Sequence, residues 1–84
     1  MMTTEIVWAN RNLAMLARLY RLRNMQPAWN AYGDGQYLVT ICCGERAANI
    51  VVNRSELIAA WKGSEADQST IIRSLTESMR MLTE

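Results

Sequence analysis

The side chains able to do chemistry are two adjacent cysteines, eight carboxylates, nine basic groups and no histidine. Without histidine there is no imidazole general base and no Ser-His-Asp arrangement. Cys42 and Cys43 lie in a β-forming run with no activating partner in sequence, so neither is set up as a thiolate nucleophile. Adjacent strand residues point to opposite faces, so the two do not bridge each other easily, and two buried reduced thiols are expected. A metal site needs more ligands of the right type than this chain brings together. The carboxylates are scattered over turns and helix ends, so spacing yields no acid/base pair. Gly33-Asp34-Gly35 is a turn, neither a Walker loop nor a dinucleotide fingerprint, and leaves Asp34 only a minor role in contacting a partner. Asn53-Arg54-Ser55 matches a glycosylation sequon, which matters only in a secreted protein. The expectation is a non-enzyme without cofactor or metal.

Recognition chemistry is better represented. Arg11, Arg18 and Arg21 fall on one side of a long amphipathic stretch, with Arg23 close by, and Lys62 is the only lysine in the chain. Arginine makes forked contacts to carboxylates and phosphates that lysine cannot, although a GC-rich coding sequence gives the same bias. Residues 1–33 carry four arginines against Glu5, a balance of +3. Residues 34–84 carry five basic and seven acidic groups, a balance of −2, so the whole chain stands at +1.

The element that positions these arginines runs from Thr4 to Met25 and reads as a single helix capped by Thr4, with Glu5 in its first turn. At about 100° per residue, Ile6, Ala9, Leu13, Leu16, Ala17 and Tyr20 form the core stripe. Trp8, Met15, Leu19 and Leu22 form a second apolar face, roughly opposite. One apolar stripe is what a surface helix needs, so the second requires another cover. Either the helix is central, with strands on one face and a second helix on the other, or these four residues meet another chain.

Pro27 ends that helix. Ala28 to Tyr32 is a short candidate strand, followed by the Gly33-Asp34-Gly35 turn. Tyr37 to Cys43 is rich in β-formers and alternates Tyr37, Val39, Ile41 and Cys43 against Leu38, Thr40 and Cys42. Gly44-Glu45 turns the chain into Arg46 to Val52, where Ala48, Ile50 and Val52 share a face. Asn53 with Glu56 fits a capping box opening a helix from Arg54 to Lys62, with Leu57, Ile58 and Trp61 on one side and Gly63 at its end. Ser64 caps a last helix to about Thr83, with Ile71, Ile72, Leu75, Met79 and Leu82 inward. Arg73, Glu77, Arg80 and Glu84 form its solvated side.

The expected fold is one α+β domain over residues 1–84, a small antiparallel sheet of two or three strands packed with three helices in the order α-β-(β)-β-α-α. A chain of 84 residues buries only about 60–65% of its unfolded surface, so stability is modest and assembly can contribute to it. Unbroken apolar runs such as Leu13 to Ala17 fall far short of a membrane span. MMTTE lacks the basic-then-apolar pattern of a secretory signal, so the cytoplasm is the expected compartment.

Trp8, Arg11, Met15, Arg18, Leu19, Arg21 and Leu22 are therefore the candidate protein-binding residues, a mixture enriched at interface anchors. The expected partners are a second copy of the chain, a larger protein or a nucleoprotein complex, with no membrane. By size and class the chain is like the small inhibitors that phages and plasmids direct against host defences, anti-CRISPR proteins included. The alternative is nucleic-acid binding, with the Arg11/Arg18/Arg21 stripe following phosphates. There Asn10, Asn12 and Asn24 would reach base edges, and Trp29, Tyr32 or Tyr37 would stack. A net charge of +1 is weak for that role.

Overall fold

Thr3 rather than Thr4 caps the first helix, its hydroxyl oxygen accepting from the Ile6 N–H at 3.4 Å. The computed structural model describes residues 3–84. In it this helix, α1, spans Thr4–Leu19 and is followed by β1 (Met25–Ala31), β2 (Gln36–Cys43), β3 (Arg46–Asn53), α2 (Arg54–Trp61) and α3 (Glu65–Thr83). The fold is the α-β-β-β-α-α form of the expected α+β arrangement.

α1 stops six residues short of Met25. Tyr20 is its C-cap, and Arg21 follows at φ +56, in the left-handed region. The Arg21 N–H bonds the Arg18 carbonyl at 3.1 Å and the Leu22 N–H bonds the Ala17 carbonyl at 2.9 Å. Those two bonds are the Schellman pattern, which satisfies the last carbonyls and usually carries an apolar contact from the residue Leu22 occupies. Leu22 is half-buried and packs on the core accordingly. Asn24 at φ +59 completes the reversal. The left-handed site normally takes glycine, as Gly63 does after α2 at φ +112. Arg21→Gly should therefore raise stability by about 0.5–1 kcal/mol. The midpoint of a thermal melt should rise by several degrees, and an unchanged or lower midpoint would contradict the left-handed assignment.

β1 begins at Met25 and contains Pro27, where the sequence suggested a shorter strand from Ala28. The strands are ordered β1-β2-β3, so β1 is an edge. Its register pairs Pro27 with Ile41. The Tyr32 N–H bonds the Gln36 carbonyl in that register, so even-numbered residues of β1 face β2 and odd-numbered ones face away. Pro27 thus lacks only an N–H that no neighbouring strand would use. β2 and β3 form a hairpin closed by Gly44-Glu45, with Gly44 at φ +64, the positive φ a two-residue hairpin turn requires.

Side-chain alternation sends Val39, Ile41, Ala48 and Val52 to one face of the sheet, where they are buried against all three helices. α3 lies over β3, α1 over β1, and α2 packs on both other helices. From α1 the buried residues are Ile6, Ala9, Leu13 and Ala17, the expected stripe, with Leu16 and Tyr20 packed at its margin. α3 contributes Ile71, Leu75, Met79 and Leu82 as expected, with Ile72 half-buried. α2 buries Leu57 and Ala60, while of the residues expected to share a side with Leu57, Ile58 is half-buried and Trp61 is exposed. The Asn53 side chain caps α2, accepting from the Ser55 and Glu56 N–H groups at 3.0 and 3.4 Å. Ser64 caps α3 by accepting from the Asp67 N–H.

Among the described residues no element covers the second face of the sheet, and this corrects the expectation for the thiols. Cys42 is exposed there, whereas Cys43 is half-buried on the helix side, its Sγ 3.1 Å from the Arg23 carbonyl oxygen. The alternation placed them on opposite faces correctly, but burial of both needs helices on both faces.

Candidate protein-binding surface

The four apolar residues of the second face of the first helix separate into two pairs. Trp8 is half-buried and packs on the core, and its carbonyl accepts from the Asn12 side-chain amide at 2.9 Å. On the other flank, Asn10 Oδ1 accepts from Trp29 Nε1 at 2.8 Å, tying α1 to β1. Trp29 in turn meets Tyr37 edge to face, with centroids 5.6 Å apart at 83°. Both aromatics, candidates for base stacking, are therefore engaged on the core side of the sheet. Tyr32 is exposed at the end of β1. Leu22 is taken up by the turn after α1.

Met15 and Leu19 stay outside, 63% and 76% exposed. They are four residues apart and so adjoin on the helix surface. Arg11 precedes Met15 by one turn, and Arg18 stands beside Leu19 on the flank away from the core; both are exposed. The result is an exposed strip of two arginines and two large apolar side chains running to the C-terminal end of α1. Arg21 is also exposed, just beyond the helix on the turn rather than in the stripe. Among the described residues the one ion pair is Arg80–Glu77 at 3.5 Å. None of these three arginines therefore has a carboxylate partner there. Glu5, the only acidic residue of α1, is buried at its far end.

The described residues contain no group of three His, Cys, Asp or Glu side chains able to hold a metal ion. A depression on α3 lined by Glu65, Gln68, Ser69, Ile72 and Arg73 is wide open to solvent. Among the described residues no helix is long and apolar enough to cross a membrane.

Sequence reasoning missed the free face of the sheet. Its alternate positions, from Gln26 to Asn30, Leu38 to Cys42 and Ala47 to Val51, include no charged side chain. The alternation was visible, but which side the helices take was not. The chain matches no family model, no curated protein and no solved structure.

Proposed function

We propose that this protein is a non-enzymatic binding module that docks onto another protein through the exposed strip of α1. The carrying observation is the pairing of Met15 and Leu19, at 63% and 76% exposure, with Arg11 and Arg18, which have no carboxylate partner among the described residues. Exposed apolar side chains gain from burial in a partner, and unpaired guanidinium groups gain from carboxylates opposite them. The partner chemistry that satisfies both is an acidic protein surface with an apolar floor. Two copies packing through this strip would set Arg11 and Arg18 against their own kind, which favours a heterologous partner. Arg21 lies at the rim. Trp8 and Leu22 support the strip from below, Trp8 by packing α1 onto the core and Leu22 by fixing its end. Inhibition of a host defence complex is the narrower form of this proposal, suggested by size and class.

The same free arginines are what favour nucleic-acid binding as a second reading. Against it, the centre of the strip is apolar and holds no exposed aromatic ring. Capture from lysate separates the readings. A protein partner should survive nuclease treatment, whereas a nucleic-acid partner should vanish with nuclease and weaken steeply with salt.

Leu19→Asp tests the surface directly. Leu19 is exposed, so the change should cost no more than about 1 kcal/mol of stability, most of it from an acidic charge at the C-terminal end of α1. It should weaken partner binding by at least about a hundredfold, because it places an unpaired charge in a desolvated contact. Unchanged capture by a folded variant would rule out α1 as the docking element.

A further inference from the structure

We propose that a second copy of this chain pairs antiparallel along the free edge of β3, joining two three-stranded sheets into one. This interface is distinct from the α1 strip and does not depend on it.

The hydrogen-bond pattern of the sheet identifies the open edge. The Arg54 N–H bonds the Gly35 carbonyl in continuation of the β2–β3 register. In an antiparallel ladder, directly opposed residues alternate between exchanging both main-chain bonds and exchanging none. Even-numbered residues of β3 therefore spend their N–H and C=O groups on β2. Ala47, Asn49 and Val51 direct theirs away from it, and β3 is the last strand of the sheet. Among the described residues no backbone bond outside the sheet ladder reaches these three amides.

The two edges of the sheet are treated differently. On β1 the outward row runs through residues 25, 27, 29 and 31, and Pro27 interrupts it. On β3 the outward row contains no proline, and from Ala47 to Asn53 the strand carries no charge. Proline and charge are the usual means of keeping an edge strand from pairing, and β3 has neither over that span. Ile50, at the middle of the strand on the helix side, remains only half-buried.

Self-complementarity identifies the occupant as the same chain. Consider a twofold axis through Asn49, perpendicular to the sheet. Asn49 then faces Asn49 of the second copy, and Ala47 faces Val51 of the second copy on the uncovered side. On the helix side Ala48 faces Ile50 of the second copy. A small residue meets a larger one at each of these apolar rungs, and the outward N–H and C=O groups of Ala47, Asn49 and Val51 meet one another as bonded pairs. The same register brings Glu45 opposite Asn53 of the second copy, next to its Arg54. Among the described residues Glu45 and Arg54 are exposed and in no ion pair; both lie just beyond the ends of β3, in the hairpin turn and at the start of α2, where two symmetric Glu45–Arg54 contacts would bracket the seam. Shifting the axis to Ile50 would instead oppose Arg46 to Arg54, like charge to like charge. The charges thus favour the register centred on Asn49 over the one centred on Ile50.

Sedimentation equilibrium on the full chain at micromolar to millimolar concentration should give twice the 9.6 kDa chain mass. Amide exchange at Ala47, Asn49 and Val51 should slow as the dimer fills. Val51→Pro removes an outward N–H used in both outer rungs and leaves the bonds to β2 in place, as Pro27 does in β1. It should weaken the dimer by about a hundredfold. Glu45→Arg should weaken it by about tenfold, and adding Arg54→Glu should restore it. The double exchange keeps the proposal testable should the proline variant fail to fold. A monomer at every concentration overturns the proposal. So does a dimer whose Ala47, Asn49 and Val51 amides exchange freely, or one that a folded Val51→Pro variant leaves intact.

Discussion

Leu13→Ala should lower the thermal midpoint of this protein by about 10–25 °C, the largest stability loss expected from a single truncation in α1. Leu13 is 0% exposed at the centre of the buried α1 stripe, where α1 meets the rest of the core. Truncating a buried leucine costs about 2–5 kcal/mol, because a cavity remains where the surroundings cannot collapse. A domain of 84 residues has a total stability of roughly 4–12 kcal/mol, so one such change removes a large fraction of it. Leu19→Ala provides the internal contrast. It has the same chemistry on the same helix six residues later, but the side chain is 76% exposed and the expected cost is under about 0.5 kcal/mol. Circular-dichroism melts of the two variants read the difference. Equal midpoints would mean that the rotation of α1 about its own axis is wrong, and the strip assigned to partner binding would fall with it.

That contrast was legible in the sequence for Leu13 and only half legible for Leu19. A period of 3.6 residues finds the buried stripes of α1 and α3 because each helix packs a single face on the core. It is less informative about the other side, since a wide side chain such as Trp8 can reach the core from the flank while Met15 cannot. The end of α1 was hidden for a different reason. After α2, Gly63 marks the left-handed turn in the usual way, and the sequence places that boundary to within one residue. After α1 the same conformation is taken by Arg21, whose identity carries no such signal, and the apolar Leu22 that locks the turn looks like one more helical position. Pro27 misleads in the opposite sense. It discourages a strand, yet an edge position with an outward-facing N–H accepts it without loss. For Cys42, alternation set it on the face opposite Cys43, but nothing local states that all three helices lie on the Cys43 side. That is a property of the connections between elements, and it leaves one thiol and an uncharged sheet surface in solvent.

Reversing both charges of the strip, Arg11→Glu with Arg18→Glu, should weaken association with an acidic partner by about 10²–10³-fold at low salt. Most of the loss should come from slower encounter. Both side chains are exposed, so within the folded chain they contribute little, and stability should change by no more than about 1 kcal/mol. Arg18 does lie in the last turn of α1, where a cation suits the helix dipole, so its reversal accounts for most of that small cost. The effect on binding is larger because neither arginine has a carboxylate partner among the described residues, which leaves both free to meet an acidic surface. The loss should shrink as ionic strength rises, since exposed charges are screened over about 10 Å at 0.1 M salt. Leu19→Asp should behave otherwise, speeding dissociation with only weak salt dependence, because it spoils a desolvated contact rather than an approach. Association and dissociation rates measured at two salt concentrations therefore separate steering by Arg11 and Arg18 from anchoring by Met15 and Leu19. If the charge-reversed variant associates as fast as the unmodified chain at low salt, the partner's surface is not acidic and only the apolar half of the docking proposal stands.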